Sequence, residues 1–198
     1  MTVWLVNLFY NLPAEGYPPQ RYWQLAEQLA ADGHHVVYVT TEFSHANKAP
    51  RRFVGEWPGG NGIAVVLLKT VPYLRNISLR RLYSHFQIAR RFRREASGIA
   101  VRMGTPDLVI AATPPLMLAN AAMDFAHEVR AKFVIDINDA WPETFERILP
   151  RWTLGWMRYL ARRVYCGADA VTAVAERYLE LAREYGATSP QHVAYHSA

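Results

Sequence analysis

Thr113, Asn138, Asp139, Trp141 and Glu143 each follow an apolar run, in Pro106-Asp-Leu-Val-Ile-Ala-Ala-Thr-Pro-Pro115 and in Lys132-Phe-Val-Ile-Asp-Ile-Asn-Asp-Ala-Trp-Pro-Glu143. Short apolar runs bounded by turn residues read as strands buried on both faces. In a parallel sheet, ligands sit in the crevice beyond the strand C-termini, where these side chains emerge. A carboxylate at Asp139 either orients or deprotonates a hydroxyl, or caps the short helix that begins at Trp141. Trp141 offers the wall of a sugar-sized pocket. Thr113 either turns its hydroxyl to the crevice beside the free N–H groups of the next helix, or marks a turn before two prolines. Asp136 lies inside an apolar run, so its carboxylate needs a hydrogen-bonding partner.

A second candidate loop is Asn11-Leu-Pro-Ala-Glu-Gly16-Tyr-Pro-Pro-Gln-Arg21. A dinucleotide fingerprint needs three spaced glycines, and Gly16 stands alone, which disfavours NAD or FAD. One glycine still lets a backbone approach a phosphate at a helix N-terminus, and Arg21 is placed either to pair with that anion or to serve as a surface arginine.

The elements that position these residues alternate strand and helix. Strands are expected at Val3–Phe9, His35–Thr41, Gly62–Thr70, Asp107–Ala112, Lys132–Ile137 and Ala170–Val174, with a seventh beginning at His192. Helices are expected at Pro19–Ala31, Ser78–Met103, Leu116–Arg130, Arg151–Tyr165 and Glu176–Tyr185. The long helix has Leu79, Leu82, Phe86, Ala89, Phe92, Ala96, Ile99 and Met103 in phase. Its prediction is a right-handed, doubly wound parallel sheet, a Rossmann-like α/β domain over residues 1–198. Glu42 to Gly60 is a long polar loop, of the kind that is often functional or mobile. The stop after the seventh strand is expected to be a cut at a domain boundary.

Of the 198 residues, 51% are hydrophobic and 20% charged, ordinary globular material with a sizeable core. Cys166 is the only cysteine, which rules out an intrachain disulfide and a cysteine metal site and suits a reducing compartment. No run approaches the roughly 20 apolar residues of a membrane span, and the N-terminus lacks the basic region of a signal peptide. A cytoplasmic protein is therefore expected, on the inner face of the membrane if it meets one. The net charge of +5 is concentrated in one segment: Arg75 to Arg102 holds eight arginines and one acid, Glu95. Arg80, Arg81, Arg90, Arg91, Arg93 and Arg94 either form a solvated face or meet an anionic membrane surface. Nucleic acid is disfavoured, since no zinc module, helix-turn-helix or RNP pattern accompanies the charge. The seven histidines show no metal spacing.

Taken together, these stretches resemble the N-terminal domain of the family 4 retaining glycosyltransferases of the GT-B fold. The matching residues are Glu15-Gly16 through Arg21 and its helix, Gly33-His34-His35-Val36-Val37-Tyr38-Val39-Thr40-Thr41, Pro106 to Pro115, Val134 to Glu143 with its Asp-x-Trp-Pro-Glu, and Ala168 to Glu176. The resemblance covers nearly the whole chain and implies a two-domain enzyme of surface polysaccharide or glycolipid synthesis. This domain would bind the acceptor, a lipid-linked sugar or oligosaccharide. A second domain, on this chain or a partner subunit, would bind most of the nucleotide sugar, leaving residues 1–198 alone inactive. Gly16 and Arg21 would lie near the donor phosphates, Asn138 and Asp139 at the reacting centre, and Thr113, Trp141 and Glu143 against the acceptor. No metal or cofactor is expected, because positive groups and helix dipoles offset charge on the leaving diphosphate. The sequence departs from the family at Tyr17, Asn138, Ala175 and Tyr195-His196-Ser197, where relatives carry glycine, histidine or arginine, serine, and Pro-Asn-Gly. Two rivals remain: a stand-alone Rossmann-like binding module, and a membrane-surface adaptor without catalysis.

Overall fold

The computed structural model describes residues 1–51, 56–58, 62–146 and 151–195, with the backbone alone for 56–58 and 151–153. In chain order the elements are β1 (Thr2–Val6), α1 (Arg21–Ala31), β2 (His35–Thr41), β3 (Phe43–Ser44), β4 (Ala49–Pro50), β5 (Glu56–Pro58), β6 (Ile63–Leu68) and α2 (Leu79–Met103). There follow β7 (Leu108–Thr113), α3 (Leu116–Glu128), β8 (Lys132–Ile137), α4 (Arg151–Cys166), β9 (Ala170–Ala173), α5 (Glu176–Glu184) and β10 (Gln191–Val193). Eight strands form one sheet in the order β10-β9-β8-β7-β1-β2-β6-β5. All its pairings are parallel except that of edge strand β5 with β6.

The expected doubly wound α/β fold is present, and the chain order explains its two faces. The connection through α1 steps one way along the sheet, whereas those through α2, α3, α4 and α5 step the other way. Right-handed crossovers then place α1 on one face and the other four helices opposite. The core divides accordingly: Tyr22, Trp23 and Ala26 of α1 pack on Val36, Tyr38 and Val65, while Phe92, Phe125, Ala161 and Leu179 share the other cluster. Trp4 anchors that larger side, with its ring stacked on Phe125 at 5.2 Å and edge-on to Phe92 at 6.4 Å.

Three expectations change. The first strand ends at Val6 rather than Phe9, because beyond the last pairs, Val6 with Val39 and with Ala111, the chain leaves the sheet and Phe9 packs on His45 at 4.7 Å. The long loop contains the β3–β4 hairpin and strand β5; residues 52–55 and 59–60 of that loop lie outside the described residues, as do His196 and Ser197. Finally, the buried side of α2 runs through Ser84, His85, Ile88, Ala89, Phe92, Ala96, Ile99 and Ala100. At roughly 100° per residue, Leu79 and Phe86 fall about a quarter turn or more from the His85–Ile88–Phe92 line. They are exposed, with Leu79 at 85%, instead of joining the core stripe.

Candidate functional site

The C-terminal edge of the sheet carries two groups of polar residues. The first is built on Asp136, which is 1% exposed within β8. Its carboxylate accepts a forked pair from Arg21, Nη1 to Oδ2 at 2.6 Å and Nη2 to Oδ1 at 2.8 Å, and a bond from the Thr172 hydroxyl at 2.7 Å. Asn138 completes the group: its Nδ2 donates to Asp136 at 3.0 Å, and its Oδ1 accepts from Tyr10 at 2.8 Å and Arg21 at 3.1 Å. The partner that a buried carboxylate requires is therefore Arg21, brought from the start of α1. Burial pulls the Arg21 pKa down, but the hydrogen bonds and charge of Asp136 outweigh it and hold the guanidinium above its ordinary value.

Gly16 sits on the loop that leads into α1. It takes φ +82°, a left-handed conformation that favours glycine, and its N–H donates to Pro13 O at 2.9 Å, closing the turn Pro13–Glu15. An added Cβ would meet nothing within 4 Å, so the residue faces open space. The turn is fixed by Arg51, a residue that the sequence gives no reason to single out. Its guanidinium is buried, pairs with Glu15, and donates from Nε to Thr41 O at 2.7 Å and from Nη2 to Tyr10 O at 3.1 Å. Glu15 in turn accepts from Leu12 N at 2.7 Å.

The second group lies on the α2 side. Asp139 accepts from the Trp141 indole N–H at 3.1 Å and from the Thr144 hydroxyl at 3.2 Å, so it fixes the Trp141 ring rather than capping a backbone N–H. Trp141 packs edge-on to Phe145 at 4.6 Å and against His85 at 5.6 Å. Over these rings lies Arg81. Its guanidinium carbon stands 5.1 Å from the centre of Phe9, 5.5 Å from Trp141 and 5.8 Å from Tyr73. His45 Nδ1 meets the Tyr73 hydroxyl at 2.6 Å, and Lys48 Nζ stands 3.1 Å from the same nitrogen.

The predicted residues thus separate. Asn138 joins the Arg21–Asp136 group, whereas Asp139 and Trp141 border the aromatic box. Thr113 is fully buried; its carbonyl accepts from Asn138 N at 3.0 Å, and its hydroxyl has no partner among the described residues. Glu143 turns away, accepting from the Tyr185 hydroxyl. Arg81 faces inward and leaves the expected membrane-facing set. Arg80, Arg90, Arg93 and Arg94 are exposed; Arg93 reaches Asp124 at 3.6 Å, and Arg91 pairs with Glu95 at 3.1 Å. Among the described residues no cluster of His, Cys, Asp and Glu is arranged to hold a metal, and no helix is long and apolar enough to cross a membrane.

His85 is buried among the rings of Phe9, Tyr73 and Trp141. Burial first, then the charges of Arg81 on its own helix and His45 from the hairpin, push its pKa down to about 3. Burial, with Lys48 and Arg81, lowers His45 to about 4. Both start from 6.5. Below that pH the unfolded chain takes up protons that the native state refuses; above it neither state does. Stability is therefore expected to fall as pH drops from 6.5 toward 4, by up to about 1.4 kcal/mol per pH unit for His85 and less for half-exposed His45. Urea unfolding across this range measures the slope. It should flatten in His85→Phe, and a profile that is already flat in the parent chain would contradict the buried, neutral ring.

Comparison with known proteins follows the fold. A family model described as "Glycosyl transferase 4-like domain" matches residues 18–196. Among solved structures, sucrose-phosphate synthase from Thermosynechococcus elongatus is 14% identical with a TM-score of 0.61, over 96% of this chain and 88% of that one. Anabaena HepE, solved with UDP and glucose, is 16% identical with a TM-score of 0.52, over 100% of this chain and 44% of that one. A Polygonum tinctorium UDP-glucosyltransferase capable of glucosylating indoxyl, in a complex with 3,4-dichloroaniline, is 10% identical with a TM-score of 0.55, over 96% and 52%. At such identities the likeness shows the fold alone, and the chain spans about half the length of the last two. Comparison with curated proteins gave no match.

Proposed function

The chain belongs to the glycosyl transferase 4-like domain family, and from that premise we propose that it is the acceptor-side half of a retaining glycosyltransferase. The enzyme moves a sugar from a nucleotide sugar to a lipid-linked or oligosaccharide acceptor in surface polysaccharide or glycolipid synthesis. The observation that carries this reading is the pairing of Asp139 with Trp141 at the end of β8, one residue from the Arg21–Asp136–Asn138 group. A carboxylate and an indole at one strand end suit a sugar hydroxyl, the ring supplying an apolar face and the carboxylate an acceptor for the hydroxyl proton.

In the reaction, the acceptor oxygen bonds to the anomeric carbon on the face from which the nucleoside diphosphate departs with its electron pair, and the acceptor hydroxyl gives up its proton to the Asp139 carboxylate. Asp139 orients the acceptor hydroxyl. Asn138 is a positioning residue, since its amide is committed to Asp136, Arg21 and Tyr10. Gly16 and Arg21 contribute to the donor phosphates, Arg21 through N–H groups beyond those held by Asp136. Thr113 acts on the acceptor side only from beneath, through its carbonyl bond to Asn138, and Glu143 is engaged with Tyr185 instead. No metal or cofactor is required in this scheme, and most donor contacts come from a second domain or partner subunit.

We place the protein in the cytoplasm, peripheral on the membrane; the outer side of α2 and the residues that lead into it support the membrane contact. There Leu74, Ile77, Leu79, Tyr83 and Phe86 are exposed beside Arg80, Arg90 and Arg94, the pairing of apolar and basic residues that meets an anionic bilayer. Arg90→Glu with Arg94→Glu is expected to reduce cosedimentation with vesicles containing phosphatidylserine roughly thirty-fold or more, at about 1 kcal/mol for each arginine lost and with the added acids repelling the surface. Equal pelleting of parent and variant would remove the membrane role.

The test of function is transfer of radiolabelled sugars, from a panel of nucleotide sugars, into a lipid extract by the two-domain enzyme and by residues 1–198 alone. Label in the lipid fraction with the former and none with the latter is the expected result. Transfer at normal rates by residues 1–198 alone would overturn the split site, and no transfer by either would favour a stand-alone binding module.

A further inference from the structure

Arg81 and Lys48 bring two cations into one aromatic box, and the acids nearby do not neutralise them. Lys48 Nζ lies 5.1 Å from the Tyr73 ring centre and donates to Asn76 Oδ1 at 2.7 Å; Arg81 Nη1 donates to Asn76 O at 2.5 Å. Burial first, then the charge of Arg81, lowers the Lys48 pKa; burial lowers that of Arg81 itself, against the opposite pull of Tyr73 and, after it, of Asp139. Two groups in the box lack hydrogen bonds. Arg81 Nε is buried with no partner among the described residues, and so are both ring nitrogens of His85, a side chain only 1% exposed. An unmet N–H of a guanidinium in a dry setting is costly, and native proteins rarely leave several such groups together. Water alone would satisfy the donors but not the surplus positive charge.

We propose that Arg81, Lys48 and His85 form a binding site for a phosphate ester on the acceptor substrate, next to the Asp139–Trp141 pair. A phosphate oxygen accepts from the idle Arg81 Nε–H, a second accepts from neutral His85, and Lys48 releases Asn76 to contribute a third charge-assisted bond. The aromatic faces of Phe9, Tyr73 and Trp141 exclude water around the ion pairs and strengthen them. This assignment rests on the acceptor-side reading and names a chemical class for that acceptor. The exposed arginines of the outer α2 side are a separate surface, because Arg81 turns inward from them.

The test is calorimetric titration of the chain with inorganic phosphate and with dihexanoyl phosphatidic acid below its micelle concentration, against sodium chloride at equal ionic strength. Both phosphates are expected to bind where chloride does not. Lys48→Met and Arg81→Met should each weaken binding roughly ten-fold or more, while Arg90→Glu with Arg94→Glu changes it little. Lys48 is half-exposed, so that variant remains informative if Arg81→Met fails to fold. Tighter binding of the lipid probe would assign the phosphate to a lipid headgroup, and equal binding would assign it to the phosphate group alone; both support the site. The proposal is overturned if neither phosphate binds, or if binding survives Lys48→Met but is lost in the outer-surface variant. Since no sugar transfer is measured, that outcome leaves the acceptor-side reading to its own assay.

Discussion

Replacing Asp136 by alanine is expected to destabilise the protein by about 3 kcal/mol, the lower end of the range for breaking a buried ion pair. The Arg21 guanidinium would lose both arms of its fork, and Thr172 and Asn138 would lose an acceptor at the same time. Arg21 retains 15% side-chain exposure, so water recovers part of its solvation, and this sets the lower end. Asp136→Asn keeps one oxygen and should cost less, about 1–2 kcal/mol. Joint replacement, Asp136→Leu with Arg21→Met, should recover much of the loss because it removes both desolvated charges. Urea unfolding with an unchanged slope is the measurement. A loss below about 1 kcal/mol for the alanine variant would mean that the pair adds little to stability.

The second large effect falls on rate. On the proposed two-domain reading, Asp139→Asn in an enzyme that carries both halves is expected to lower the transfer rate about a hundred-fold or more, within the usual contribution of an acid or base group. The thermal midpoint should stay nearly unchanged, because the amide oxygen can still accept from the Trp141 indole while the amide NH2 donates to the Thr144 hydroxyl, which keeps its own bond to Ala140 O. Asp139→Ala removes those bonds as well and should raise the KM for acceptor through a loosened Trp141. If Asp139 serves only to hold the indole, the asparagine variant will keep its rate and the alanine variant alone will lose it. The two variants thus separate the chemical role from the structural one.

The alternation of strands and helices was legible because apolar runs such as Leu108–Thr113 and Lys132–Ile137 are buried on both faces. The need of Asp136 for a partner could also be read from its neighbours, although not the identity of Arg21, which lies 115 positions away. Arg51 left no local trace. A buried arginine reads like any loop arginine until the fold brings Glu15 to it across 36 positions. His45 and His85 were hidden in the same way, since their meeting depends on Phe9 leaving β1 and turning between them. The stripe on α2 was misphased for a different reason: Leu79 and Phe86 are apolar yet face outward, so hydrophobicity marked two surfaces of one helix and sequence periodicity merged them. The hairpin of Phe43–Ser44 with Ala49–Pro50 is too short for any periodic pattern.

The tie between Arg51 and Glu15 bears on how a ligand is met. A loop with one glycine and several prolines would ordinarily sample many shapes in the free protein, and a ligand would have to order it on arrival. Here that ordering cost is incurred when the chain folds, because the hairpin holds the loop through a buried guanidinium. The first loop is therefore preorganised, so in the proposed role at the donor its contribution to affinity would not be offset by conformational entropy lost at each turnover.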